Sequence, residues 1–466
     1  MTALAVLALA LGQVAEIHAD LASLPDEVRP LVRYLDMSNL TVEEREKAYQ
    51  VLAGHVNGLS KEADFTAPAL VKGRLLRVNL ADYLWDAKTW EEFAKTDPYF
   101  HLEIEQRYPW GGGIWPGTNQ HYAAGSFTVI DKKNVLAPWL AETEVEKKLL
   151  AEIIGSVQSQ AFILRADWWM VNTATQEGRT VGYYGMLGLK DQKDFEKLVR
   201  FDKIQASRLE QRRTVIFSGI TLQPRRIERT ATVLGGLWRT SDSANAVAKH
   251  NPLAFLDDDL EFDATEQFAP LPNGMPAWWL GDAKGKRQDK APDNVVGGDR
   301  TGHGNDTRLH INLSCIRCHM LRAGEAGIKN IDDVKVKTLR ADDYQKLRDL
   351  RRQYLRDIGP SMEADRKGYE LAIKTATGGM PSKEYAAAYA EFYSRYEDAR
   401  IDLARAAADL GTTEEKLKAA LIRQERYVKT GLHPVLSVLA GGGEIPVRQW
   451  EELYGVSQTI LRGIQP

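Results

Sequence analysis

The chain has only two cysteines, and both lie in Ser314-Cys315-Ile316-Arg317-Cys318-His319. Cys-x-x-Cys-His is the attachment pattern for c-type haem. Two thiols three positions apart share one side of a helical turn, so each can form a thioether to one haem vinyl group. The next residue can then bring its imidazole under the ring as an iron ligand. Other uses of a cysteine pair fit less well. A zinc site takes four ligands and usually a second Cys pair, which this chain lacks. A redox dithiol is expected beside a βαβ pattern, and none is evident. A plain surface dithiol is the remaining alternative. Cys315 and Cys318 are therefore expected to anchor one covalent haem c, with His319 as its axial ligand.

With 466 residues the chain is long enough for two or three structural units and a sizeable core. A net charge of −3 gives no basis for binding nucleic acid or an anionic membrane surface. The run Ala3 to Leu11 is unbroken and apolar, followed by Gly12 and Ala15. It has the length of a secretory h-region and is too short to span a bilayer, although no Lys or Arg precedes it. The alternative is a buried first helix. Covalent haem attachment takes place outside the cytoplasmic membrane, which favours export to the periplasm or cell envelope. No other stretch approaches the ~20 apolar residues of a membrane helix, so no integral span is expected.

Along the chain, Leu31, Tyr34 and Leu35, and then Tyr49, Leu52 and Val56, recur at helical spacing and predict two short helices between Pro30 and about Ser60. Thr41-Val42-Glu43-Glu44 is a good start for the second. Arg74–Leu80 reads as a strand running into Tyr83, Trp85 and Trp90. Gly and Pro exclude regular structure from Tyr108 to Phe127, where Trp110 and Trp115 need something to pack on; a lid over the core is the plainer reading and a haem face or substrate the other. Thr143-Glu144-Val145-Glu146 fits a capping box for a helix to about Phe162. Arg165–Met170 reads as a buried strand. Residues 213–240 alternate as an antiparallel meander. The acidic group Asp257, Asp258, Asp259, Glu261 and Asp263 lacks a spaced ligand loop, so a solvated turn is preferred to a calcium site. Ala277–Leu280 leads into a hairpin turn at Gly281–Gly285. After Asp332 the composition becomes helical, with helices expected at Arg340–Ile358, Lys383–Leu410 and Thr413–Tyr427.

The iron's sixth position separates electron transfer from catalysis: a strong second ligand makes a carrier, an open position admits a small molecule. Met380, in Thr377-Gly378-Gly379-Met380-Pro381, is the candidate sixth ligand; the alternative is a methionine that only starts the next helix. His303, His310 and His433 are weaker candidates, each more ordinary as a surface or hydrogen-bonded histidine. Arg308, Arg317 and Arg322 could pair with haem propionates, or be plain solvated arginines.

With these residues in view, the chain resembles a family of large, mostly uncharacterised bacterial envelope proteins carrying a single c-type haem (cytochrome c domain-containing proteins). The resemblance rests on Leu271-Pro272-Asn273-Gly274-Met275-Pro276-Ala277-Trp278-Trp279-Leu280, Gly285-Lys286-Arg287, Ala291-Pro292 and Asn312 to His319. Val32-Arg33-Tyr34-Leu35, Arg165-Ala166-Asp167-Trp168 and Ala406 to Gly411 are also similar to family segments. The Trp110–Trp115 loop and His310 depart from the pattern. The resemblance implies a haem c protein and an exported location; it implies no substrate.

The expected fold class is α+β, predominantly helical, with a small antiparallel β component and an all-α C-terminal unit. The expected organisation is an apolar leader (1–16), an N-terminal α+β region (17–270), a haem c-binding region (271–335) and a helical C-terminal region (336–466). The expected function is electron transfer by an exported monohaem cytochrome with a redox partner protein. A peroxidase- or oxygenase-like haem enzyme with an open distal site is the alternative, and a haem-stapled sensor or scaffold the third. Size keeps these open, because a single-haem shuttle needs only about 100 residues.

Overall fold

The computed structural model describes residues 12–109, 113–114, 121–122, 127–206, 211–218, 221–255, 259–292, 295, 308–322, 341–423 and 433–462. The apolar run, Trp110, Trp115 and His303 lie outside them; within the stretch expected to lack regular structure, Gly113–Ile114 pairs antiparallel with His121–Tyr122. The fold is α+β, about 49% helix and 18% strand, with small antiparallel sheets. Among the described residues no helix is long and apolar enough to cross a membrane. Two compact units are formed by the described parts of Met1–Asn39, Trp90–Arg165 and Arg400–Pro466, and of Leu40–Thr89 and Ala166–Ala399.

In the first unit, Val32–Asp36 is a strand, not the helix its spacing predicts, and it pairs in parallel with Ile163–Arg165. All five of its side chains are buried, and a short strand buried on both faces has no alternation to distinguish it from a helix. His101–Pro109 pairs antiparallel with Phe127–Leu136, with a register shift at Gln106/Arg107. Helix Glu144–Val157 starts at the expected capping box: Thr143 Oγ1 accepts from Glu146 N–H, and Glu146 accepts from Thr143 N–H. It packs on helix Gln13–Ala22. Below them lies a buried ionic group. Arg165 Nη1 is 3.2 Å from Asp409 Oδ2, which also accepts from Trp450 Nε1 at 3.0 Å, and the Arg165 guanidinium sits 4.0 Å over the Tyr99 ring.

The second unit is built on a five-stranded antiparallel meander: Gln211–Phe217, Pro224–Thr232, Gly235–Ser241, Ala264–Pro270 and Pro276–Asp282, in that order. Alternation decides its two faces. The register sets Arg239 beside Gln267 and Gln267 beside Trp279 on one face, where Tyr184 and Phe195 cover Trp279 and Glu196 pairs with Arg239. On the other face Arg229, Trp238, Phe268 and Trp278 line up across four strands. The edge strand Pro276–Asp282 meets two phenols: Trp278 N–H donates to Tyr183 Oη and Leu280 N–H to Tyr184 Oη, both at 2.9 Å.

Helix Val42–Gly58 carries the Thr41/Glu44 capping box. It lies so close to helix Ser382–Glu397 that a Cβ on Gly54 would be 2.5 Å from the Tyr385 ring. The expected strand at Arg165–Met170 is instead the last strand residue followed by helix Ala166–Ala174, every residue of which is buried. Complete burial removes the amphipathic stripe by which a helix is read from sequence. Downstream, helix Ala341–Ala376 runs through Pro360. The expected 383–410 helix is two, Ser382–Glu397 and Leu403–Asp409, separated by the short pairing of Arg400–Ile401 with Ile445–Pro446 and restarted by the Asp402 cap. Helices Glu414–Arg423, His433–Ala440 and Val447–Arg462 complete the C-terminal region.

Candidate functional site

The motif begins a short helix, Leu313–Ile316, which continues as a π-helical turn over Arg317–Arg322. Such wide turns are rare and are frequently found at functional sites. Cys315 is buried and Cys318 is half-buried. The turn packs against helix Ser382–Glu397.

His319 lies on the aromatic face of the sheet. Its ring centroid is 5.1 Å from that of Trp278 and 5.2 Å from that of Phe268, and Phe268 in turn meets Tyr369 at 5.7 Å. His319 Nε2 is 3.4 Å from Glu266 Oε1. Glu266 Oε2 accepts from Arg225 Nη2 at 3.3 Å, and the same nitrogen reaches Asp242 Oδ2 at 2.6 Å. Burial raises the Glu266 carboxyl, but the His319 hydrogen bond and charge and the Arg225 guanidinium outweigh it and hold it down at about 2. Asp242 shifts upward, because its burial exceeds the pull of Arg225. Alongside, Arg229 Nε and Trp238 Nε1 both donate to Asp365 Oδ2, at 2.9 and 3.0 Å.

Buried polar atoms on this face without a hydrogen-bond partner among the described residues include Trp278 Nε1, Tyr369 Oη, Asp242 Oδ1 and Arg225 Nε. A native interior satisfies nearly all such groups, so a cluster of exceptions calls for a reason. The donor set fits a c-type haem. Two thiols and an imidazole stand on one helical turn, the imidazole lies on an apolar aromatic bed, and the orphaned donors provide polar contacts beside it. There is one demand on the site: Glu266 holds Nε2, the nitrogen an iron would take, so ligation through Nε2 requires that contact to be given up.

The other candidates are placed as follows. Met380 is buried in the turn between helices Ala341–Ala376 and Ser382–Glu397. Its N–H donates to Thr377 Oγ1 at 3.1 Å, and Gly378 and Gly379 supply the positive φ values that end the first helix. The Gly-Gly-Met-Pro signature thus has a structural use of its own. Arg308, Lys290 and His310 converge on Glu177, at 3.3, 3.3 and 3.6 Å. Arg317 is buried. The side chains of Arg322 and His433 lie outside the described residues. Met320 is buried beside Met275, Ile316 and Trp278. Glu261, from the acidic stretch, pairs with Lys249 at 3.4 Å. Among the described residues no group of three or more His, Cys, Asp or Glu could hold a metal ion.

Glu266, Phe268 and Tyr369 were not legible as site residues. Their only sequence signal is a place in an alternating strand or a helix, and their role comes from registers set by other strands. No family model, curated protein or solved structure matches the chain.

Proposed function

We propose that the chain is an exported monohaem c-type cytochrome, of the kind found in the bacterial envelope family it resembles, that transfers electrons to or from a partner protein. Cys315 and Cys318 would hold the haem as thioethers, His319 would supply one axial nitrogen, and Met380 is the sixth ligand in this reading. When bound, the haem supplies one-electron redox chemistry. The observation that carries the proposal is the placing of His319 directly after the two thiols, on an aromatic bed with unpartnered polar atoms. In this reading Phe268 and Trp278 shield one side of the imidazole, and Glu266 and Arg225 fix the charge beside it.

The test is to express the full chain with a covalent haem maturation system and measure pyridine haemochrome absorbance and intact mass. One haem should survive denaturation and be lost in Cys315→Ser/Cys318→Ser; haem that extracts with acid acetone would overturn the reading. Fractionation checks export, and the weak methionine–iron charge-transfer band, absent from Met380→Ala, checks the sixth ligand.

A second reading, a haem enzyme with an open distal side, is favoured by one observation. A half-enclosed cavity lined by Thr221, Arg225, Asp242, Leu280 and Leu309 shares Glu266 with the His319 site. A ferrous spectrum unchanged by CO would exclude this reading; a high-spin ferric haem that binds cyanide would favour it over electron transfer.

A further inference from the structure

Asn312, three residues before Cys315, has φ +62° and ψ −59°. Leu313 N–H donates to Ile311 C=O at 2.8 Å across it. This is a γ-turn of the rare positive-φ kind, strained for any residue with a Cβ. The turn also starts the motif helix, because the Asn312 carbonyl accepts from Ile316 N–H at 2.8 Å. The direction of that peptide therefore sets the direction in which Cys315 and the following turn leave.

A strained conformation persists only where its surroundings over-determine it. Here they do so through a buried side-chain relay. Asn312 Nδ2 donates to Ala174 C=O and to Tyr389 Oη, both at 3.1 Å. Tyr389 Oη is 3.1 Å from His55 Nδ1, and His55 Nε2 is 2.7 Å from Thr173 Oγ1. Thr173 Oγ1 donates its one proton to Trp169 C=O at 2.8 Å. One tautomer gives every group in the relay a partner, with the Thr173 proton on a helix carbonyl. In it Thr173 accepts from His55 Nε2–H, Nδ1 accepts from Tyr389 O–H, and Tyr389 Oη accepts from Asn312. The run is directional from the turn to the core, and it needs a neutral histidine with its proton on Nε2. His55 is buried, between the rings of Trp169 (5.2 Å) and Tyr389 (5.5 Å).

We infer that His55 is a positioning residue for the Cys315–His319 segment, acting through Tyr389 to hold Asn312 in its γ-turn. The role concerns the polypeptide alone and does not depend on the haem assignment.

The test uses the haem-free full chain, with two local readouts: amide exchange by mass spectrometry over residues 310–320, and the rate of Cys318 alkylation. Tyr389→Phe and His55→Ala should each speed both by about ten-fold, while exchange in the 211–282 sheet stays unchanged. His55→Gln, whose amide offers a donor and an acceptor, should restore part of the protection. Asn312→Gly should abolish the dependence: glycine adopts positive φ without strain, so adding Tyr389→Phe to it should change neither readout further. The inference is overturned if Tyr389→Phe leaves the motif's exchange and alkylation at wild-type rates. It is equally overturned if the variants loosen sheet and motif alike, or if Asn312→Gly does not suppress their effect. Haem absorbance of the matured protein is scored separately, so failure of the haem reading cannot be mistaken for failure of this one.

Discussion

Two buried charged groups in this protein are made differently. The Arg165–Asp409 group is closed: Asp409 accepts from Arg165 and Trp450, its backbone carbonyl accepts from Tyr454 Oη, and the guanidinium lies on Tyr99. None of these residues has an orphaned polar atom. The group on the sheet face has comparable charges, Glu266, Arg225, Asp242 and His319, but leaves Asp242 Oδ1 and the nearby Trp278 Nε1 and Tyr369 Oη unpartnered. Low dielectric makes both arrangements costly to build. The first is complete as a structural cross-link, whereas the second has unused bonding capacity beside the one histidine of the motif. Satisfaction, more than charge or burial, separates a staple from a site.

The sharpest way to break this distinction is to remove one member from each. Arg165→Met leaves a buried Asp409 without its cation and should cost about 3–5 kcal/mol of unfolding free energy in a denaturant titration. Glu266→Gln leaves Arg225 its bond to Asp242 and should cost about 1 kcal/mol. Equal losses would show that the sheet-face group is also a structural cross-link.

The pH dependence of stability should have one limb from each unit. Burial raises the Asp97 carboxyl to about 8, against the pull of the Tyr99 and Phe100 amides, so the folded state holds a proton that the unfolded chain releases near 4. That contribution is full below about pH 4 and is lost as pH rises toward 8. Burial lowers His55 to about 3, so its contribution is full above about 6.5 and lost as pH falls. Each limb should slope by at most about 1.4 kcal/mol per pH unit. Asp97→Asn should flatten the alkaline limb and His55→Gln the acid one, measured as unfolding free energy across pH 4–8.

The helix caps make a matched control. Thr41→Ala and Thr143→Ala remove the same device from the two units, and each should cost about 1 kcal/mol. A much larger loss at either would mean that its helix start supports more than its own first turn. The smallest effect expected is on the proposed haem. If the matured chain carries the haem, removing the Glu266 charge would favour the less positive ferrous state, so Glu266→Gln should raise its reduction potential in a spectroelectrochemical titration.

What could be read from the sequence was local. Thr41 and Thr143 announce helices because a cap and its partner are three residues apart, and the 213–240 strands show because alternation is written into one stretch. Cys315, Cys318 and His319 are conspicuous for the same reason. The Val32–Asp36 strand and the Ala166–Ala174 helix were misread because complete burial erases the period that distinguishes strand from helix. The break after Glu397 was missed because Arg400–Ile401 pairs with residues far along the chain. Glu266 and His55 show the same limit at the site: each acquires its role from a partner brought in by the fold, and nothing adjacent to it in sequence marks it.

The relay beneath Asn312 also has a consequence in time. Two of its anchors, His55 and the Ala174 carbonyl, precede the motif in the chain, but the Tyr389 hydroxyl follows it. A chain emerging from its N-terminus therefore presents Cys315 and Cys318 before the residue that fastens their turn exists. The 382–397 helix packs on the turn, so the segment is fastened only once that helix has docked. Order along the sequence becomes order of events: the two sulfurs are presented first, and their turn is fastened after.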